Sequence, residues 1–259
     1  FGLLNIINFT HGAQYMMGAF VAYLCLNKLG VGYWPSLIIA PLVVGITGVI
    51  IERTMLQRLY KLDHLYGLLL TLGIALIIQG LFRNEFGSSG QPYPIPPELT
   101  GGQNLGFMFL PNYRAWVIGF SLFACLATWF VIERTKLGGY LRAATENPAL
   151  VQAFGINVPK MITLTYGFGV ALAALGGVMA APIYQVSPQM GADLIIVVFA
   201  VVVIGGMGSI LGTIITGFAL GLVEGLTKVF YPEASNTVIF VVMALVLLVK
   251  PAGLFGTQK

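Results

Sequence analysis

Polar side chains that could contact a small solute are few in this sequence, and they stand in or beside long apolar runs. They are Asn5, Asn8, Thr10, His11, Gln14 and Gln79. A polar group in an apolar setting is costly unless it faces a cavity or forms a hydrogen bond with a neighbouring helix. Both roles are open for each of these residues: lining of a path through the protein, or a bond between helices.

Residues for catalysis or metal binding are scarce. The chain has nine acidic residues and two histidines. Cys25 and Cys125 lie far apart inside apolar runs without partners at ligand spacing, so we expect buried thiols and no metal site. The sequence has no glycine-rich P-loop, no HExxH motif and no nucleophile elbow. We therefore expect no enzymatic activity and no cofactor in this chain, and energy for active work would come from a partner.

The composition indicates an integral membrane protein. Of 259 residues, 58% are hydrophobic and 8% are charged, whereas a soluble domain has about 25% charged residues. The apolar runs are long and continuous, as membrane helices require, and lack the alternation of barrel strands. We predict an all-α polytopic bundle of about seven or eight hydrophobic segments, some short or discontinuous. The segments are Gly12–Leu29, Tyr33–Ile51, Leu65–Phe82, Arg114–Ile132, Met161–Ala181, Leu194–Ile204 (the short one), Ile210–Thr227 and Pro232–Val249.

Basic residues are unevenly distributed between the two predicted sides. Nine of the 13 lysines and arginines fall on the side that includes the C-terminus, and four fall on the other. The positive-inside rule then places the C-terminus in the cytoplasm. We predict that residues 1–259 form one transmembrane domain, with an outer loop at 83–113 and a cytoplasmic loop at 133–160. No basic cluster is dense enough to predict nucleic-acid binding.

The cytoplasmic loop contains a short helix with its own start and stop signals. Asn147 suits the N-cap, Pro148 the first helical position and Gly155 the left-handed end. One apolar face would be formed by Leu150, Ala153 and Phe154. A helix of about two turns is unstable alone in water. Either the membrane bundle or a cytoplasmic protein must therefore cover this face.

Glycines recur at four-residue spacing towards the C-terminus. The residues concerned are Gly208, Gly212, Gly217, Gly221 and Gly225. Small residues at this spacing allow membrane helices to approach closely, so we predict helix packing here, mostly within the chain. A polar break, NFTHG, precedes one apolar run and GGMGS precedes another. Breaks at corresponding positions of two halves often flank a path for a solute.

Four stretches carry specific motifs: NFTHGAQYMMGAF, ERTMLQR, TKLGGYLRAATENPALVQAFGINVPK and FAVVVIGGMGSILGTIITGFALGLVEG. Together they resemble the permease subunits of branched-chain amino acid type ABC transporters, from Asn5 to about Gly256. The resemblance implies a bacterial inner-membrane permease with an additional N-terminal helix before the first residue given. It also implies a second homologous permease subunit, two cytoplasmic ATPases that bind ATP and Mg, and a periplasmic substrate-binding protein that would face loop 83–113.

The resemblance implies import of branched-chain or related hydrophobic amino acids by alternating access. The same permease type also serves urea, short amides and aromatic acids, which stay open as alternatives. An ATP-independent channel or secondary transporter is a remoter alternative, because such proteins usually carry intramembrane charges. The polar residues of the first paragraph become candidates for lining the path.

The short cytoplasmic helix becomes a candidate coupling helix that docks into a groove on the ATPase. Its expected contact residues are Asn147, Pro148, Leu150, Ala153, Phe154, Gly155 and Ile156. The broad importer pattern in this loop has Glu-Ala-Ala followed by Gly, and only the Gly is kept here. The detailed contacts with an ATPase would therefore differ from that pattern.

Overall fold

The computed structural model describes residues 8–60, 62–106, 108–235 and 237–256, and these residues form an all-α bundle. The helices are α1 (Thr10–Leu29), α2 (Tyr33–Thr54), α3 (His64–Phe86), α4 (Asn112–Arg134), α5 (Lys136–Glu146), α6 (Pro148–Ala153), α7 (Val158–Ala180), α8 (Met190–Gly205), α9 (Ile210–Phe230) and α10 (Val238–Val249). Two three-residue strands, β1 (Gly102–Asn104) and β2 (Phe109–Pro111), pair antiparallel between α3 and α4. The predicted fold class is confirmed.

Five helices in the described residues are long and apolar enough to cross a membrane. They are α2 with the turn that follows it, and α3, α4, α7 and α9. α1 has 20 residues, but polar residues such as His11 and Gln14 lower its mean hydropathy. α8 and α10 are shorter apolar helices of 16 and 12 residues.

Several helix boundaries differ from the sequence-based expectation; for example, the segment expected to end at Phe82 continues to Phe86 in α3. The segment expected at Leu194–Ile204 begins four residues earlier, so α8 runs over Met190–Gly205. The segment expected at Pro232–Val249 is helical only from Val238, because Pro232–Ala234 forms a separate 3-10 turn. Proline lacks a backbone N–H and suits the first position of such a turn.

Glycine allows α1 and α7 to pack closely at the centre of the bundle. A Cβ placed on Gly18 would lie 2.2 Å from the carbonyl oxygen of Ala174. A Cβ placed on Gly177 would lie 2.0 Å from the carbonyl oxygen of Tyr15. α2 packs on α7 through Gly45 and Gly48. Because any side chain at Gly18 or Gly177 would push the backbones apart, these contacts fix how α1 and α7 meet.

The segment between α3 and α4 is tied to the ends of the helices around it. Gln91 and Val186 exchange two backbone hydrogen bonds, of 2.8 and 2.9 Å. Tyr113, at the start of α4, donates from its hydroxyl to the carbonyl oxygen of Met179 at 2.8 Å. Beyond Tyr113, no residue of α4 is buried among the described residues. α4 is therefore joined to the buried core through Tyr113 and otherwise stands at the edge of the bundle.

Candidate functional site

α1 begins in the interior of the bundle. The side-chain amide of Asn8 donates to the hydroxyl of Tyr166 at 2.7 Å, and the Thr10 hydroxyl donates to the carbonyl oxygen of Thr71 at 3.0 Å. Thr71 lies seven residues into α3 and Tyr166 lies eight into α7, which is roughly 10–12 Å along each helix. The polar NFTHG stretch therefore reaches its partners about a third of the way along the bundle.

α8 begins at the same place. A Cβ placed on Gly12 would lie 2.4 Å from the carbonyl oxygen of Gly191, and a Cβ on Gly191 would lie 2.2 Å from the carbonyl oxygen of Gly12. The first turns of α1 and α8 thus touch backbone to backbone. We call this contact the Gly12–Gly191 junction. The GGMGS break lies at the opposite end of α8, where Gly206 and Gly208 adopt positive φ angles of 96° and 93°, so the structure does not bring the two predicted breaks together.

A cavity of about 200 Å³ lies beside this junction, between α1, α3 and α8. Its volume is below the 300–1,000 Å³ of typical ligand pockets, so it suits a small solute. The lining is Phe9, Ala13, Met16, Leu72, Ala75, Leu76, Gln79, Pro188, Gly191, Ala192, Ile195 and Ile196. Gln79 is the polar side chain of this set, and its amide donates to the side-chain oxygen of Gln189. The cavity is thus apolar with one amide side chain, Gln79, at its wall.

Four of the predicted path residues lie at the start of α1 and bond to neighbouring groups. Asn8, Thr10 and Gln14 are buried, and none of the three lines the cavity. His11 Nδ1 lies 2.7 Å from Gln14 Oε1, and the imidazole stacks on the ring of Tyr166 with centroids 5.5 Å apart. Asn8 and Thr10 therefore serve as bonds between helices in this structure.

The other two path candidates differ in their positions. Gln79 lines the cavity, as described above. Asn5 lies outside the described residues. Of the five candidates that the structure describes, Gln79 is the one at the cavity wall, and the role of each residue in a path stays a prediction.

Glu52 is a buried charged residue that we did not predict from the sequence. It lies near the end of α2, fully buried against α7. Its carboxylate accepts hydrogen bonds from the Thr163 hydroxyl at 2.6 Å and the Tyr60 hydroxyl at 2.9 Å. Burial and the nearby carboxylate raise the pKa of Tyr60 above its usual value. The signal in the sequence is an acid at the end of an apolar run, but nothing local reveals its partners.

α6 has well-formed ends. Asn147 Oδ1 accepts the backbone N–H of Leu150 at 3.0 Å, and Pro148 occupies the first position. Gly155 follows the helix with φ +82°. These groups satisfy backbone donors and acceptors that a six-residue helix would otherwise leave free.

The apolar face predicted for α6 is not covered by the described part of the chain. Leu150 and Phe154 are 54% and 77% exposed, and Ala153 is exposed as well. Val151, on another side of the helix, is buried in a small cluster with Ala144 and Val158, against which Ile156 packs. α6 is thus anchored to the bundle by Val151 and presents Leu150, Ala153 and Phe154 outwards.

The first glycines of the predicted packing series lie inside the chain's own fold. Gly208 belongs to the turn before α9. A Cβ placed on Gly212 would lie 2.5 Å from the carbonyl oxygen of Gly205, and one on Gly217 would lie 3.6 Å from a methyl group of Val201. Both glycines therefore face α8.

The last two glycines of the series face away from the bundle. Apart from the chain neighbours and the adjacent backbone of α9, no atom of the described residues lies within 4 Å of a Cβ placed on Gly221 or Gly225. Both residues are exposed. The predicted packing within the chain thus applies to the first half of α9 and not to these two positions.

Residues 1–247 match the family described as branched-chain amino acid transport system / permease component. The match covers nearly the whole chain. The chain belongs to this permease family. The resemblance inferred from the motifs is confirmed, and a multi-pass membrane location follows from the family and the five long apolar helices.

Two relatives are similar to this permease over its full length, and a third is similar over part of it. The high-affinity branched-chain amino acid transport system permease protein LivH of Escherichia coli K12 is 30% identical, over 100% of this chain and 88% of LivH. BraD of Pseudomonas aeruginosa, with the same description, is 28% identical over 100% of this chain and 89% of BraD. The ribose import permease protein RbsC of E. coli K12 is 27% identical over 70% of this chain and 55% of RbsC. No solved structure gives a significant match to this permease.

Proposed function

We propose that this permease forms the membrane path of an ATP-driven importer for branched-chain or related hydrophobic amino acids. The observation that carries the proposal is α6, a capped helix anchored at Val151 whose apolar face is exposed. A water-exposed Phe154 beside an exposed Leu150 favours a surface that a partner covers. The relatives named as branched-chain amino acid permeases support the substrate class.

The partner at α6 is a cytoplasmic ATPase, and two such subunits would bind ATP and Mg. Closure of the ATPases would displace α6, which is joined to α7 by a short turn. Asn157 caps α7, since its Oδ1 accepts the backbone N–H of Lys160 at 3.0 Å. α7 packs tightly on α1 at Gly18 and Gly177, and α1 carries the Gly12–Gly191 junction. Movement of α6 would reach the cavity along this series of contacts.

The cavity beside the junction is the part of the path that this subunit contributes. Its apolar lining suits an aliphatic side chain, and the Gln79–Gln189 pair would bond to a polar group of the solute. The same amide pair favours urea or a short amide as a second candidate substrate. An ion-coupled transporter is less favoured, because Glu224, in α9, is paired with Lys228 and Glu52 is enclosed by two hydroxyl donors.

In this proposal the C-terminus lies in the cytoplasm, and the opposite end of the bundle faces the periplasm. The C-terminal tail packs on the end of α8, where Leu254 N–H donates to the carbonyl oxygen of Ile204 at 2.8 Å, and this end carries the basic segments expected in the cytoplasm. The segment 87–111 at the opposite end would meet the periplasmic binding protein. The exposed glycines of α9, Gly221 and Gly225, would pack against the second permease subunit.

Replacing the most exposed residue of the α6 face tests the coupling role. Phe154→Asp should leave membrane insertion intact and abolish ATP hydrolysis stimulated by the binding protein, because a charge cannot enter an apolar groove without a partner. Gln152→Asp, on the opposite side of α6, is the matched control and should retain stimulation. The measurement is ATPase activity of the co-purified complex in proteoliposomes. Full stimulation of the Phe154 variant would exclude the α6 face as the ATPase contact.

Replacing Gln79 tests the cavity as part of the path. Gln79→Leu keeps the size of the side chain and removes its hydrogen bonds, so uptake of the solute should fall while the complex assembles normally. Ser121→Leu, at a half-buried position of α4 that does not line the cavity, is the control. Uptake by the Gln79 variant equal to that of the unmodified permease would remove the cavity from the path.

A further inference from the structure

A second groove lies at the end of the bundle that carries α5 and α6, away from the cavity at the junction. Its volume is about 380 Å³, and it lies between the end of α4, α5 and the first three turns of α7. Its exposed apolar lining is Val131, Leu137, Tyr140, Leu164 and Phe168. Buried groups at its floor include Gly138 and Leu141. The groove is therefore apolar and open on one side.

The groove changes from charged to apolar along the axis of α7. Lys160, Leu164 and Phe168 line it at intervals of four residues, so they form one stripe of roughly 12 Å. Lys160 is at the end of this stripe, in the first turn of α7. Because the N-terminus of a helix is positively polarised, the backbone of α7 adds to the charge of Lys160 at this end.

The basic end of the groove has no acidic partner among the described residues. The ion pairs described are Arg142–Glu133 and Lys228–Glu224, and neither includes Lys160 or Lys136. Lys136 is exposed and is the sequence neighbour of Leu137, which lines the groove, but Lys136 is not itself a lining residue. Residues 133–160 contain four basic and two acidic residues, and one of the acids, Glu133, is already paired. An anion is therefore the complement of this end.

We propose that an anionic phospholipid binds in this groove, with its phosphate at Lys160 and Lys136 and an acyl chain along Leu164 and Phe168. A phospholipid matches the groove, because it has a charged headgroup at one end and apolar acyl chains along the rest of its length. A protein segment lying here within the apolar part of the membrane would have to satisfy its own backbone groups, which a lipid need not do. Basic pockets between membrane helices at the cytoplasmic side bind anionic headgroups in this way.

The position of the lipid links membrane composition to coupling. α5 leads through Asn147 into α6, and the groove is formed where α5 meets α4 and α7. A lipid in the groove would hold α5 against α7 and so fix the base of the α6 surface. This consequence rests on the proposed coupling role of α6, whereas the binding itself does not.

Lipid selectivity of the intact complex tests the proposal. The permease, purified with its partner subunits, is equilibrated with equal amounts of phosphatidylglycerol and phosphatidylcholine, and bound lipid is counted by native mass spectrometry. The unmodified complex should retain phosphatidylglycerol preferentially. Lys160→Gln should weaken that preference about fivefold, as expected when one basic side chain near an anionic headgroup is removed. A second change, Lys136→Gln, should weaken it further by a similar factor.

Two further variants separate charge from structure. Lys160→Arg keeps the charge and should keep the preference. Lys28→Gln removes an exposed lysine from the last turn of α1, away from the groove, and should also keep it. Equal retention of both lipids by the unmodified complex, or an unchanged preference after the double change, would overturn the proposal.

A photo-cross-linking residue at Leu164 identifies the occupant directly. Labelling of phosphatidylglycerol supports the proposal, whereas labelling of another subunit in place of lipid overturns it. Neither measurement involves ATP hydrolysis. The test of ATPase stimulation in the Phe154 variant and the test of lipid binding in the Lys160 variant can therefore have independent outcomes.

Discussion

The Gly12–Gly191 junction provides the sharpest test of the structure, because a single methyl group should disturb it. In Gly191→Ala the new Cβ would lie 2.2 Å from the carbonyl oxygen of Gly12, whereas ordinary contact begins at 3.4 Å. The first turns of α1 and α8 must then separate by about 1 Å, since the obstacle is backbone and cannot rotate away. The methyl group adjoins the cavity, so its shape must also change.

The size of the effect follows from known costs of overpacking. Inserting a methyl group into a tightly packed site costs about 1–3 kcal/mol, and the helix preference of alanine over glycine returns up to about 1 kcal/mol. At the middle of these two ranges the net loss is about 1–2 kcal/mol. For a chain of this size each kcal/mol shifts the melting temperature by about 2–4 °C, so Tm should fall by roughly 2–8 °C.

The matched control is Gly73→Ala in α3. Apart from the chain neighbours and the adjacent backbone of α3, no atom of the described residues lies within 4 Å of a Cβ placed on Gly73. Only the helix preference therefore acts, and Tm should stay constant or rise slightly. Thermal unfolding of the detergent-purified permease measures both variants, and substrate uptake in proteoliposomes should fall for Gly191→Ala alone. A Tm for Gly191→Ala equal to or above that of the Gly73 variant would refute the backbone contact between α1 and α8.

Two further predictions concern buried contacts elsewhere in the bundle. Glu52→Gln should lower the free energy of unfolding by about 1–3 kcal/mol, because the amide replaces one acceptor of the Tyr60 and Thr163 hydroxyls by a donor. The control Glu146→Gln, in an exposed position, should have no measurable effect. Equal Tm values for the two variants would contradict the buried role of Glu52. Gly221→Leu should leave the Tm of the isolated chain unchanged and prevent co-purification of the second permease subunit. Gly212→Leu should instead destabilise the chain itself, since a Cβ on residue 212 would lie 2.5 Å from the carbonyl oxygen of Gly205. Normal co-purification of the Gly221 variant would mean that this face of α9 contacts lipid.

Sequence-based prediction was accurate where the signals are local. The N-cap of α6 is formed by Asn147 with a residue three positions away, and Gly155 ends the helix through its own backbone angle. Long apolar runs predicted most of the spanning helices, because crossing a bilayer requires length and little else. α8 began earlier than expected because Gly191 and Asp193 interrupt the apolar run without ending the helix.

Contacts between distant residues could not be predicted in the same way. The Gly12–Gly191 junction joins residues far apart in the sequence, and so does the bond from Thr163 to Glu52. In soluble helices the apolar stripe shows which side is buried. A membrane helix such as α8 is apolar on nearly every side, so its sequence does not show which side meets α1.

Glycine spacing shows the same limit within a single helix, and the structure resolves it. Gly217, Gly221 and Gly225 have identical spacing, yet Gly217 faces Val201 of α8 while the other two face away from the described residues. Spacing indicates that a helix can be approached closely on one side, but it does not indicate by which chain. The nearer half of that stripe is used within this subunit. If the farther half is used between subunits, one continuous stripe on α9 would connect the fold of this permease to its assembly, and the contrasting variants at Gly212 and Gly221 would separate the two uses.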